Sequence, residues 1–341
     1  MGRPTFILLL LIAAIGGWFV MSELSLQDPS GRPLGTLTPT PVGPTGGGLG
    51  TQITNTLRGG SPRPPTRPAG VIRVATMNLD NFDNAKAARN DIVGVTARIV
   101  SNFDVVALQD ITSGEQNAVP ALVDAANALG CDYDFVVGPR VGRQQQFQQF
   151  AFIYDKTRIE VDRYELYSVQ DPDDLLKYEP FVAWFRVRGV DPQDAFTFSL
   201  VNMLVDPEEA PRENGITPAV FDQVRNDRRG EDDVILLGDF AMNATDLQKK
   251  VAMPSGVFII RDAPTNPQHD RSNVNIIVDR HATVELTGRS GVFDFLRELN
   301  LSMEQAVTIS NHLPVWAEFS VYEGGQPGRV AANADEAMSV P

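Results

Sequence analysis

Val234-Ile235-Leu236-Leu237-Gly238-Asp239-Phe240 is the stretch on which the reading of this chain turns. Four consecutive apolar residues describe a strand buried on both faces. Gly238 lets the backbone turn sharply, and Asp239 falls where the strand ends. A carboxylate at such an edge reaches a metal ion or a phosphate in the crevice beyond the strands. Gly-Asp after a strand is also ordinary turn chemistry, so the weight of the stretch comes from its neighbours.

Two segments upstream repeat the pattern. Val71-Ile72-Arg73-Val74-Ala75-Thr76-Met77 alternates and is β-branched, and Asn78 follows at its end. Asp104-Val105-Val106-Ala107-Leu108-Gln109-Asp110 is a second buried strand ending in a carboxylate. Helical spacing of Ala88, Ile92, Val95, Ile99 and Val100 predicts a helix over 84–101. A second helix is expected over 117–129, stopped by Gly130, and a polar-faced one over 219–229. Residues 150–154, 161–167, 181–187 and 196–202 alternate like antiparallel strands, and two more strands are expected near 275–278 and 314–321. Gly288-Arg289-Ser290-Gly291 reads as a turn before a helix near Phe293. Strands outnumber helices, yet helices recur. That order predicts an α/β (α+β) architecture of two sheets packed face to face with helices outside. The strand ends carrying Asn78, Asp110, Asp239 and His312 then gather at one rim.

Four regions divide the 341 residues. Residues 6–21 are an uncharged apolar run of 16 residues, with Arg3 before it and Glu23 after it. As a helix it spans roughly 24 Å, somewhat short of a ~30 Å hydrocarbon core. A secretory signal and an uncleaved anchor compete for residues 1–28. The run is long for a signal core and no A-x-A site follows it, which favours the anchor. Charge before and after the run places the C-terminal bulk outside the cytoplasm; cleavage would instead release a secreted protein. Residues 29–70 are rich in Gly, Pro and Thr and read as a disordered tether, 71–322 as the folded domain and 323–341 as a disordered tail. The net charge is −14, and residues 71–341 carry −17 of it against +3 before them. Such a surface disfavours bulk nucleic-acid binding while leaving room for a local cleft that takes a phosphate-containing ligand. Cys131 is the only cysteine, so an intrachain disulfide and a cysteine-based zinc site are excluded. It reads as a small buried hydrophobe.

Six fragments resemble, in order, the motifs of the endonuclease/exonuclease/phosphatase superfamily of deoxyribonuclease I-like hydrolases. Ala75-Thr76-Met77-Asn78-Leu79 resembles its first-strand asparagine motif, and 104–110 its metal-binding strand. Val201-Asn202-Met203-Leu204-Val205-Asp206-Pro207 and Leu236-Leu237-Gly238-Asp239-Phe240 resemble two further strand ends. Residues 275–279 and Ser310-Asn311-His312-Leu313-Pro314-Val315 resemble the last two. The resemblance spans about 71–322. It implies a four-layered sandwich and metal-assisted hydrolysis of phosphate esters with Mg or Mn. It also implies roles: Asp110 holds the metal, Asp239 positions or deprotonates water, His312 donates to phosphate, and Asn78 orients a phosphate oxygen or the metal shell.

The chain departs from that pattern in a connected way. Asp110 stands for a glutamate, Leu204 for a histidine, and Gln148 for the glutamate that pairs with it. Ala241 stands for an asparagine, and Val274 and Asn311 for aspartates. Losing one charge-stabilising donor costs about 2.7–4 kcal/mol of barrier in comparable hydrolases. The leading expectation is therefore a membrane-tethered domain that binds its ligand and has lost or strongly reduced hydrolysis. An active nuclease or phosphatase using Asp110, Asp239, His312 and Asn78 is the alternative, and a structural envelope protein a second one. His269 and His281, lacking metal-ligand spacing, are expected at solvated surface. The same holds for Arg140, Arg143 and Gln144-Gln145-Gln146 in a hairpin, and for Asp171, Asp173 and Asp174 in a turn around Pro172.

Overall fold

The computed structural model describes residues 67–325. In chain order the strands are β1 (Val71–Asn78), β2 (Val105–Ile111), β3 (Tyr133–Arg143), β4 (Gln146–Asp155), β5 (Ile159–Val161), β6 (Tyr167–Ser168), β7 (Phe181–Val187), β8 (Thr197–Leu204), β9 (Val234–Asp239), β10 (Gly256–Phe258), β11 (Val274–Asp279), β12 (Leu286–Val292) and β13 (Val315–Ser320). The helices are α1 (Asn84–Ala87), α2 (Asn90–Val100), α3 (Ala118–Asn127), α4 (Ala210–Arg225), α5 (Ala244–Val251), α6 (Phe295–Glu298) and α7 (Met303–Ile309).

These strands form two mixed sheets, ordered β12-β13-β1-β2-β4-β3 and β10-β11-β9-β8-β7-β5, with β6 paired to β7. Each sheet contains one parallel pair, β1 with β2 and β8 with β9. A parallel pair needs a crossover, which α1 and α2 supply in the first sheet and α4 in the second. The inner faces meet in a dry, phenylalanine-rich layer. Phe152 stacks on Phe181 at 5.5 Å between ring centroids, Phe185 on Phe198 at 5.6 Å, and Phe196 on both Phe198 and Phe319. A second apolar layer lies under α2 and α3 outside the first sheet, a third under α4 and α5 outside the second. The expected four-layered sandwich is thus the observed one.

Several local expectations are corrected. The stretch 84–101 is two helices, interrupted at Ala88-Arg89. Of 161–167, only Val161 and Tyr167 are in strands, and Tyr164 between them is exposed. The helix expected over 219–229 begins at Ala210 and ends at Arg225. Pro211 in its first turn needs no hydrogen-bond partner, and Pro218 is tolerated inside. Its buried face carries Glu213, Asn214 and Thr217, so an apolar period cannot reveal it. The supposed turn at 288–291 is edge strand β12, bulged between Leu286 and Ser290 against β13. Cys131 is half-buried rather than buried.

The domain's margins also extend past 71–322. Arg67, in the stretch expected to be tether, places Nη1 2.7 Å from Asp104 and 2.9 Å from Asp155. Its side chain is nearly buried, and Tyr133 closes over it. At the other end, Glu323 donates its N–H to the Asp194 carbonyl. The apolar run at 6–21, the rest of the tether and residues 326–341 lie outside the described residues. Among the described residues, no helix is long and apolar enough to cross a membrane.

Gly238 is fixed by close approach. Its φ is 153°, and a Cβ there would lie 1.9 Å from the carbonyl oxygen of Met203 on β8. Gly238→Ala therefore forces β8 and β9 apart at the register that places Asp239. A loss of about 3 kcal/mol or more is expected from the midpoint of urea unfolding.

Candidate active site

Topology brings four strand ends to one rim. Asn78 closes β1, Asp110 lies near the end of β2, Leu204 closes β8 and Asp239 closes β9. All four sit at the C-terminal edges of parallel strands, where open α/β sheets place their ligands. Asn78 and Asp239 belong to different sheets, yet Asn78 Nδ2 donates to Asp239 Oδ2 at 2.9 Å. His312 Nδ1 lies 3.2 Å from the same oxygen. Ala241 N–H donates to Asp239 Oδ1 at 2.9 Å, so the carboxylate is held at both oxygens.

The support beneath is polar and buried. Ser310 Oγ donates to the Asn78 carbonyl at 2.8 Å and accepts the His312 N–H at 2.9 Å, tying histidine and asparagine to one hydroxyl. Buried Asn214 of α4 donates to the Phe240 carbonyl at 2.8 Å, fixing the turn after Asp239. One layer deeper, Gln109 of β2 donates to Asn202 of β8 at 2.6 Å. Asn202 in turn donates to the carbonyls of Leu108 and Ala151. These bonds cross between the sheets where the phenylalanine layer ends.

Asp110 stands on a bulge between Leu108 and Ile111, with φ 59°. Bulges re-aim side chains at the rims of sheets. The Gln148 side chain of β4 accepts the Asp110 N–H at 3.2 Å, and the Asn81 N–H donates to the Asp110 carboxylate. Burial pushes the Asp110 carboxyl up, and the negative charge of Asp80 adds to that; His312 and Lys86 pull it back.

Asp80, Lys86 and Tyr178 belong to this site and were not legible as such from the motifs. Asp80 Oδ2 accepts from Asn311 Nδ2 at 3.0 Å. The Lys86 ammonium donates to the Leu79 and Asp80 carbonyls at 2.7 and 2.8 Å. Burial lowers its pKa against the pull of Asp80, Asp110 and Asp83. Burial raises the Tyr178 phenol, and the charge of Asp110 raises it further. The only available signal was an Asp-Asn pair directly after the first strand, at Asp80-Asn81, which here adopts left-handed φ values of 53° and 59°.

The departures converge on Asp239. Leu204 is its register partner on β8, and Val274 its register partner on β11. Ala241 follows two residues later with φ 49°. Gln148 is buried and its Nε2 has no acceptor. Leu204 and Gln148 bring no buried charge to this position, but the Gln148 amide donor is left without a partner. That omission costs roughly 1–3 kcal/mol.

The remaining polar residues lie largely where expected. His269 is exposed; its Nε2 is 3.3 Å from Asp294, and it lines an open cleft of about 580 Å³ beside Ala241 with Asp262, Asp270 and Arg271. His281 is exposed, as expected. Arg140 donates to the Ser113 and Thr112 carbonyls, and Arg143 reaches Asp174 and Glu209, so both tie loops together. The hairpin at Gln144-Gln145 and the turn at 171–174 are present.

Divalent-ion chemistry suits Asp110 and Asp80. Both are hard oxygen donors, and the charge of one raises the pKa of the other, a repulsion that a cation between them relieves. The raised folded pKa also sets a stability trend. Asp110 stabilises the fold only below the unfolded carboxyl range near pH ~4, and that contribution is lost as pH rises through the folded value. In metal-free buffer at pH 7, Asp110→Asn should melt above the wild type by on the order of 2 °C, with the gap closing toward pH ~4. Added magnesium should raise the wild-type midpoint and leave the variant unchanged.

No family model matches the chain. Curated relatives do. Deoxyribonuclease-1-like 1 of Sus scrofa is 30% identical over 269 residues, covering 74% of this chain and 82% of that protein. Deoxyribonuclease gamma of Rattus norvegicus is 27% identical over 294 residues, covering 79% and 89%. Among solved structures, the human Nocturnin catalytic domain with bound sulfate superposes with a TM-score of 0.51 at 14% identity, covering 76% of this chain and 97% of that one. An endonuclease/exonuclease/phosphatase from Bacteroides vulgatus gives 0.50 at 15% identity, covering 74% and 99%. With the strand-end asparagine, the two carboxylates and the closing histidine gathered at one rim of such a sandwich, the chain belongs to the deoxyribonuclease I-like endonuclease/exonuclease/phosphatase superfamily.

Proposed function

We propose that this domain binds a phosphodiester through a divalent cation and hydrolyses it at a strongly reduced rate. One observation carries the reading: Asp239, the residue placed to position water, is flanked in register by Leu204 and Val274. Neither side chain can donate, accept or carry charge.

The residues that remain support binding. Asp110 and Asp80 would hold Mg or Mn, and such an ion would offset charge on the phosphoryl oxygens. Members of this superfamily generally depend on a divalent metal. Asn78 and the Ala241 N–H hold the Asp239 carboxylate in a single orientation. His312 gives Nδ1 to Asp239, so Nε2 is the nitrogen left for a phosphate oxygen. The acidic surface argues for a small or locally gripped phosphodiester rather than a long duplex. Attachment to a membrane through residues 6–21, with the domain outside the cytoplasm, belongs to the same proposal and rests on the sequence alone.

A second reading, an active metal-dependent nuclease, is favoured by Asp80, which adds a carboxylate where Asp110 is one methylene shorter than the family's glutamate. The curated relatives named above are called deoxyribonucleases.

A plasmid-nicking assay with manganese or magnesium separates the readings. Turnover at about a hundredth or less of that of an intact family enzyme is expected, since a lost general acid or base is worth about 10²–10⁴. Leu204→His with Gln148→Glu should raise it by about tenfold or more while magnesium binding stays unchanged. Wild-type turnover that matches an intact enzyme, and that both a chelator and Asp239→Ala abolish, would establish the active enzyme instead. A domain showing neither ion binding nor turnover would support a structural role.

A further inference from the structure

The rim opposite the active site carries its own constellation of acids. Asp233 immediately precedes β9, so six residue steps lead from it to Asp239, about 20 Å at ~3.3 Å each. Glu285 immediately precedes β12, and Glu323 follows the end of β13. Three segments distant in sequence thus bring three carboxylates to one point, where one oxygen from each lies within 4.8 Å of the other two.

Two of these groups are buried with little compensation, Glu285 Oε1 accepting only the Gly324 N–H at 2.6 Å. Asp233 is 1% exposed and Glu285 2% exposed. Asp233 Oδ1 and Glu285 Oε2 find no donor in good hydrogen-bond geometry, and the buried Thr283 hydroxyl lies beside the Asp233 carboxyl, whose pKa it pulls down against the stronger effect of burial. No salt bridge reaches Asp233, Glu285 or Glu323 among the described residues. The nearest guanidinium in the adjoining cleft, Arg229, is engaged with Asp227. Burial raises the Asp233 and Glu285 carboxyls, and mutual repulsion with Glu323 raises both further. Isolated buried carboxylates are strongly disfavoured, and the usual remedies are a partner cation, a metal or a proton.

We propose that Asp233, Glu285 and Glu323, with the Thr283 hydroxyl, hold a hard divalent cation of calcium type at the rim opposite the active site. All the donors are oxygens, which selects calcium or magnesium over thiolate- and imidazole-seeking metals. They come from three separate segments and include carboxylates that can bind through one or both oxygens, an irregular donor set that suits calcium better than the near-octahedral demand of magnesium. Nearby is an open cleft of about 360 Å³ lined by Trp184, Thr197 and Glu231, two of which touch or neighbour the cluster. Thr197 N–H binds Glu323 Oε2 at 3.2 Å, and Glu231 sits beside Asp233. The ion would join the start of β9, the start of β12 and the chain after β13, reinforcing the rim where Phe196 N–H already donates to the Val321 carbonyl across the two sheets. The inference is independent of the catalytic reading.

Trp184 supplies the test. Its indole N–H donates to Glu231 at 2.8 Å, so it lies close enough to sensitise a bound terbium ion. The full chain carrying Asp110→Asn and Asp239→Asn, stripped of metal, is titrated with terbium under tryptophan excitation. Sensitised emission that calcium displaces is expected. Glu323→Gln, at an exposed position, should weaken it by about tenfold, and Asp233→Asn should abolish it. Trp184→Phe should lose the emission while keeping a calcium-induced rise of about 5 °C in the melting midpoint. The proposal is overturned if Glu323→Gln leaves the terbium signal unchanged. It is equally overturned if calcium leaves the wild-type midpoint unmoved while acidification raises it, which would show that a shared proton neutralises the acids.

Discussion

The hydrogen bond from Asn78 to Asp239 is the point on which the site depends. It is one of the few polar links between two sheets otherwise held by side-chain packing. The bond forms only because both residues end parallel strands, and because those strands lie face to face at the centre of their sheets. Ser310 then binds both the Asn78 carbonyl and the His312 N–H, so the closing histidine is placed by the same residue as the first-strand asparagine. The Gln109–Asn202 pair beneath them has its own meaning. Buried amides cost stability unless paired, and pairing specifies which strands meet and in what register. The dry core could tolerate small slips of one sheet over the other; this seam cannot.

Above the seam the protein holds strain that packing alone would not select. Asp80, Asn81 and Asp110 all adopt left-handed backbone, and two of them place like charges near one another. Such features persist at sites that act on a ligand. Around Asp239 the opposite holds. Leu204 and Val274 extend the apolar sandwich up to the carboxylate itself, as they would in any well-packed edge. One half of the rim therefore carries strained backbone and like charges, and the other is lined by apolar side chains. The unpaired Gln148 amide lies behind that boundary.

The sequence made the central strands legible because β1, β2 and β9 are buried on both faces and read as apolar runs ending in polar residues. What it concealed has physical reasons. Helix α4 hides its buried face in Glu213, Asn214 and Thr217, and the hydrogen bonds of the first two to neighbouring loops stand in for an apolar stripe. Strand β12 has two glycines and mostly exposed side chains, and it exists because its backbone pairs with β13. Gly138-Pro139 hides β3, and a bulge between Val137 and Arg140 accommodates that proline. Arg67 reads as linker composition, yet its guanidinium neutralises the buried Asp104. Within the site, motif positions were visible while Asp80, Lys86 and Tyr178 were not, because their roles arise from the bulge at Asp110 and the turn after Asn78.

Charge compensation separates the two ends of the sandwich. At the active rim three carboxylates face Lys86, His312 and backbone donors, so each charge has a protein group to answer it. At the far rim Asp233, Glu285 and Glu323 meet one another, the further acid Glu231, two amide N–H groups and a threonine hydroxyl. A chain with 43 acidic and 29 basic residues could have surrendered any of these acids to solvent. Instead two are packed beneath the ends of central and edge strands with bare oxygens turned inward. Packing cannot favour that arrangement, since a leucine or an asparagine would fill the space with less penalty. It is stable only with positive charge delivered from outside the polypeptide, as a metal ion or as a proton. The two differ in geometry: a proton joins two oxygens, whereas a cation gathers several, and here three carboxylates and a hydroxyl are drawn together from three separate segments.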